Sequence, residues 1–201
     1  MTQNAIIITG QIRSPELFLD CLSTLKTLKD EDLLYRIIYV LWTGELDAYP
    51  EIRKQLELID VEIIETESAL VSGISNIWHQ MKALDVAIHE IPKGYYVLKT
   101  RPDVNISLNL MRRLFNGYFD LSLPNNRDMP KIFKARIWVP WFEISKPFYI
   151  ADECFFGLRE DVVKLYNYDA RFDVIYSIDS ALSHIRRFIH PFLDSFPLFN
   201  T

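Results

Sequence analysis

The run Ala5-Ile6-Ile7-Ile8-Thr9-Gly10-Gln11-Ile12-Arg13-Ser14-Pro15-Glu16 decides the fold. Its first five residues form a short, continuous apolar run, as expected of a strand buried on both faces of a parallel sheet, and Gly10 ends it. Ser14, Pro15 and Glu16 then supply an N-cap, a proline suited to the first helical position, and a carboxylate suited to the positive end of the helix dipole. Phe18, Cys21, Leu22, Leu25 and Leu28 follow at spacings of three and four. They make one apolar stripe, on which Cys21 reads as a core residue.

The same alternation continues outward. A second strand reads Arg36-Ile37-Ile38-Tyr39-Val40-Leu41-Trp42 and stops at Thr43-Gly44-Glu45, and a helix with Pro50 near its start follows over 49–58. A third strand falls at 61–65 and a helix at 76–91, carrying Ile77, Met81, Leu84, Ile88 and Ile91 on one stripe. A fourth strand begins at Tyr95 and turns polar toward Lys99-Thr100-Arg101-Pro102-Asp103-Val104-Asn105, with a helix expected at 108–115. Repeated β-α-β units predict a mostly parallel sheet with helices on both faces. Four prolines interrupt 121–147, read as extended segments and loops over the ligand edge of the sheet. Strand signal returns at Phe148-Tyr149-Ile150 and runs on to Gly157, with helices expected near 159–166 and 178–189.

Composition narrows the function. The chain has 201 residues, of which 49% are hydrophobic and 24% charged, so it buries a core and reads as one domain. Its net charge of −5 and lack of any isolated basic block argue against a nucleic-acid partner and favour a small ligand. Two widely separated cysteines, Cys21 and Cys154, suggest no disulfide framework and point to a reducing cytoplasm. Neither a leader pattern nor an apolar run of about 20 residues is present. The aromatic stretch around Trp138, Trp141, Phe142, Phe148 and Tyr149 reads as core, or as a surface for a membrane or partner protein.

In an open α/β sheet, ligands bind beyond the carboxyl ends of the strands, and the polar residues gather there. The loop after the first strand holds Gly10, Gln11 and Arg13 but lacks the spaced glycines of a dinucleotide fingerprint. Alternation along the fourth strand puts Lys99 and Arg101 on one face, continued by Asp103 and Asn105 if the chain stays extended through Pro102. Such a row either forms an internal ion-pair network or meets an anionic ligand and its metal. Asp103 and Asn105 have the spacing of hard-cation ligands for Mg²⁺ or Mn²⁺, and equally of turn residues bonding their own backbone. Asn76 and Gln80 lie one helical turn apart, placed either to hold a hydroxylated ligand or to be solvated. Asp152 and Glu153 point to opposite sides of an extended chain, so only one can serve as base at a given site. The four histidines lack zinc-motif spacing, and no Gly-x-Ser-x-Gly elbow occurs.

The ordered set Gly10-Gln11-Ile12-Arg13-Ser14, Trp42-Thr43-Gly44-Glu45, Asn76 with Gln80, Lys99-x-Arg101-x-Asp103 and Asp152-x-x-x-Phe156-Gly157 resembles the WavE-type lipopolysaccharide-synthesis proteins, which look like GT-A-fold glycosyltransferases. The resemblance covers about residues 5 to 160. It implies transfer of a sugar from a nucleotide-sugar donor to a cell-surface glycan acceptor, in the cytoplasm or peripherally at the inner membrane. It implies a donor-binding half over 1–117 and an acceptor-side half over 118–201. By resemblance, Gly10, Gln11, Arg13, Thr43, Gly44, Glu45, Asn76 and Gln80 hold the nucleotide-sugar, Lys99, Arg101 and Asp103 line its diphosphate or metal, and Asp152 is the base. Asn105 stands where a second metal aspartate would sit, so either Mg²⁺ or Mn²⁺, or the cations Arg13, Lys99 and Arg101 alone, would neutralise phosphate. The expected alternatives are a non-catalytic sugar- or nucleotide-binding module and a partner-docking domain of a larger glycan-synthesis assembly.

Overall fold

The computed structural model describes residues 3–68, 77–123, 132–141 and 153–166. The chain runs β1 (Asn4–Thr9), α1 (Pro15–Asp30), β2 (Arg36–Trp42), a 3₁₀ turn (Glu45–Ala48), α2 (Pro50–Leu58), β3 (Glu62–Thr66), α3 (Ile77–Ile88), β4 (Tyr96–Thr100), α4 (Leu108–Phe115), β5 (Phe155–Leu158) and α5 (Arg159–Leu165). The five strands form one sheet in the order β3-β2-β1-β4-β5. Its first four strands are parallel and β5 is antiparallel to β4, so the expected mostly parallel α/β sheet is present.

Alternation along β1 assigns its side chains to two cores. Ile6 and Ile8 pack with Phe18, Leu22 and Leu25 of α1, Leu56 of α2 and Leu114 of α4. Ala5 and Ile7 pack on the other side with Met81, Leu84 and Ala87 of α3 and Val162 of α5. A strand buried on both faces has no polar side to present, which is why β1 reads as uninterrupted isoleucine. Each buried branched side chain contributes about 1.5–3 kcal/mol over its exposed state. Ser14 caps α1 as its sequence suggests, its Oγ accepting from the Leu17 amide at 3.4 Å.

One local expectation is corrected. The chain does not stay extended beyond β4, which ends at Thr100; a turn through Pro102 and Asp103 closes with the Val104 amide donating to the Arg101 carbonyl at 3.2 Å. Residues 132–141 run beside β5, where Trp138 exchanges two backbone hydrogen bonds with Phe156. Asp161, fully buried, accepts from the amides of Lys134 and Ala135 at 2.8–3.0 Å and ties that segment to α5. The strand expected at 148–150 and the helix at 178–189 lie outside the described residues. Among the described residues, no helix is long and apolar enough to cross a membrane.

Candidate functional site

The connection α1 carries the chain from β1 outward to β2, whereas α3 returns it to β4 on the far side of β1. Strand order therefore reverses between β1 and β4, and their carboxyl ends diverge into the crevice where open α/β sheets bind ligands. A cavity of about 200 Å³ occupies that place. It is lined by Thr9, Gly10, Gln11 and Arg13 after β1, Trp42 ending β2, His79 and Gln80 from the first turn of α3, and Arg101, Pro102 and Asp103 after β4. A larger groove of about 830 Å³ lies toward the amino ends of β1 and β4, over Tyr96, Phe115 and Phe156.

The cavity is polar and its charges are organised. Arg101 grips Asp103 with Nε 2.8 Å from Oδ1 and a terminal nitrogen 2.7 Å from Oδ2. Arg13 reaches the same Oδ2 at 3.4 Å from a side chain that is 53% exposed. Burial acts to raise the Asp103 carboxyl, but the Arg101 hydrogen bonds and the charges of Arg101 and Arg13 outweigh it and hold it below the ordinary carboxylate value. On the floor, Thr9 is fully buried and its hydroxyl has no hydrogen-bond partner among the described residues. Gly10 has φ +108°, a conformation that a side chain would strain, and lets the loop turn away from β1 at this point.

The expected site residues divide into groups. Gly10, Gln11, Arg13, Gln80, Arg101 and Asp103 come together around the cavity. Lys99 does not line it: the side chain is fully buried beneath α3, donating to Gln80 Oε1 at 2.8 Å and lying 5.8 Å and 6.0 Å from the ring centres of Phe155 and Tyr166. Lys99 sits within β4, whereas Arg101 lies past its end at Thr100, where strand alternation no longer applies. Thr43 and Gly44 are exposed beyond Trp42, where their amides donate to Thr66 and Glu65 of β3. Glu45 turns back toward the loop after β1 and accepts from the Ile12 amide at 2.7 Å. Asn105 is exposed and outside the cavity lining. Asn76 and Asp152 lie outside the described residues.

Both oxygens of Asp103 already accept from guanidinium groups, and Asn105 does not reach the cavity, so this pair does not fit a divalent ion as it stands. Among the described residues no group of three or more His, Cys, Asp or Glu is placed to hold a metal. Neither cysteine is a nucleophile candidate, since burial pushes both thiols up to about 12.

Four lining residues, Thr9, Trp42, His79 and Pro102, are not among the expected site residues. Trp42 and His79 meet edge to face with ring centres 5.1 Å apart, forming an aromatic wall over the end of β2. Trp42 shares the parity of Ile38 and Val40, which face α3, and that alternation was the available signal.

Fold and cavity together define a class: an open, mostly parallel α/β sheet protein with an arginine-bearing cavity where the strand order reverses. No protein-family model matches the chain, and a search of curated proteins returns no significant match.

Proposed function

We propose that the chain is a glycosyltransferase of GT-A-like fold, binding the phosphate end of a nucleotide-sugar in the cavity between β1 and β4 and transferring the sugar to a cell-surface glycan. The observation that carries this reading is the meeting of Arg13 and Arg101 at a switch-point cavity whose floor holds a buried Thr9 hydroxyl with no partner among the described residues. Two guanidinium groups on different loops suit the neighbouring oxygens of a diphosphate, because each carries several N–H donors and stays charged at all working pH values. The resemblance to WavE-type proteins supplies the sugar and glycan classes.

In this mechanism the acceptor hydroxyl oxygen bonds to the anomeric carbon while the bond from that carbon to the diphosphate oxygen breaks. The electron pair leaves with the nucleoside diphosphate, whose growing charge Arg13 and Arg101 offset. The hydroxyl proton passes to a carboxylate base, for which Asp152 is the candidate. Asp103 is a poor base because its protonation would give up the Arg101 fork. Phosphate neutralisation rests on the arginines, and Mg²⁺ or Mn²⁺ would bind Asp103 only after it leaves them.

A second reading is a non-catalytic nucleotide-sugar-binding module. It is favoured by one observation: among the described lining residues Asp103 is the sole carboxylate, and it is committed to arginine. Thermal-shift screening with UDP-, GDP-, CMP- and dTDP-sugars, with and without Mn²⁺, followed by a transfer assay, separates the two. The transferase reading expects one donor to raise the melting temperature, and turnover that Asp103→Ala and Asp152→Ala abolish. Turnover surviving both substitutions would overturn the mechanism, and stabilisation without hydrolysis or transfer under any ion would leave the binding module.

A further inference from the structure

We infer that Glu45 is a positioning residue for the loop at residues 10–13, setting the cavity's Arg13 through the Ile12 backbone without touching ligand. The inference rests on the reading of the cavity as an anion site.

The loop is held almost entirely from the second β-α unit. The Gly10 amide donates to the Val40 carbonyl at 3.3 Å, and the Tyr39 hydroxyl donates to the Gly10 carbonyl at 3.1 Å. Glu45 Oε1 accepts from the Ile12 amide at 2.7 Å, the shortest of the set, and the Tyr49 hydroxyl donates to the Ile12 carbonyl at 3.3 Å. Ile12 is thus pinned at both its backbone groups while its side chain is buried in the α1–α2 core. Its neighbours Gln11 and Arg13 are exposed and line the cavity. Wherever Ile12 is fixed, the origin of the Arg13 side chain is fixed with it.

Glu45 is built for this contact. Gly44 adopts φ +80°, and the chain turns there into the 3₁₀ segment that brings Glu45 back against the loop. A carboxylate acceptor makes a backbone hydrogen bond roughly twice as strong as a neutral one. Among the described residues the buried Glu45 Oε2 has no hydrogen-bond partner, and burial raises the carboxyl above its ordinary value despite the bond from the Ile12 amide. A buried oxygen left without a partner is a cost the fold carries, and such exceptions call for a functional explanation. Holding Ile12 supplies one.

The test compares wild type, Glu45→Ala and Glu45→Gln by amide hydrogen exchange of the free protein and by calorimetric titration with inorganic pyrophosphate. Glu45→Ala is expected to speed Ile12 exchange at least about tenfold and weaken pyrophosphate by about tenfold, equivalent to about 1.4 kcal/mol. Glu45→Gln, whose amide oxygen still accepts from Ile12, is expected to restore both to within about threefold. Wild-type values for Glu45→Ala, or a Gln variant as impaired as Ala, would overturn the inference. Should Glu45→Ala not fold, Tyr49→Phe removes only the bond to the Ile12 carbonyl; faster loop exchange with weaker pyrophosphate binding supports the held loop, and no change in either overturns it. If pyrophosphate binds no form of the protein, the anion reading of the cavity fails, and the exchange data alone decide whether Glu45 holds the loop.

Discussion

Arg101 and Asp103 face each other across one turn, joined by two parallel hydrogen bonds of 2.8 Å and 2.7 Å. The fork fixes the plane of the guanidinium at the cavity and makes the polar end of β4 a folded loop rather than the continuation of a strand. Asp103 is 18% exposed, so water screens the pair only in part.

The pair links stability to pH. Because Asp103 titrates below its unfolded value, its contribution is fully present above the ordinary carboxylate range and is lost as pH falls through the depressed folded value. Asp103→Asn is expected to cost about 1.5–3 kcal/mol near neutrality, the range for hydrogen bonds to charged groups. Urea denaturation of wild type and variant at several pH values should show the difference closing in acid.

Glu160 gives a second acid-sensitive point away from the cavity. It accepts from the Gly94 amide at 2.9 Å and from Lys134 Nζ at 2.8 Å, and these bonds hold its carboxyl down to about 2. Its contribution is present above the ordinary glutamate value and fades as pH drops toward 2. A carboxyl-resolved NMR titration should place its midpoint near 2, rising toward the ordinary value in Lys134→Ala.

Lys99 is a buried cation, and its cost is met in part by Gln80. Lys99→Met leaves Gln80 Oε1 without that donor and is expected to destabilise by about 1–3 kcal/mol. Adding Gln80→Met should recover part of the loss, because replacing both partners is cheaper than orphaning one. Chemical denaturation of the two single variants and the double variant measures the coupling.

Asp161 anchors residues 132–141. Asp161→Ala strips the Lys134 and Ala135 amides of their acceptor and is expected to cost about 2–6 kcal/mol, at one to three for each of the two amides left unpaired. Limited proteolysis should then cut within 132–141 under conditions where wild type resists.

The sheet was legible because its central strands are buried on both faces, and Ile6-Ile7-Ile8 or Ile37-Ile38-Tyr39-Val40 can hardly be read otherwise. The caps of α1 were legible for a similar reason, since Ser14-Pro15-Glu16 is local chemistry. Depth was not legible. Lys99 and Arg101 share a face in the alternation, yet one is sealed under α3 and the other meets the cavity, because β4 ends at Thr100 between them. The direction of Glu45 was equally hidden, since it depends on the 3₁₀ turn after Gly44 bringing a carboxylate against a loop 33 residues away. Trp42 and His79 meet only once α3 is docked on the sheet.

Calorimetric titration of UDP-, GDP-, CMP- and dTDP-sugars into wild type and Arg13→Gln tests the central claim most directly, because Arg13 is exposed enough for its removal to leave the fold intact. The account predicts that one of these donors binds wild type and binds Arg13→Gln at least about tenfold more weakly. Equal affinity for both proteins, or no binding by any of the four, would contradict it.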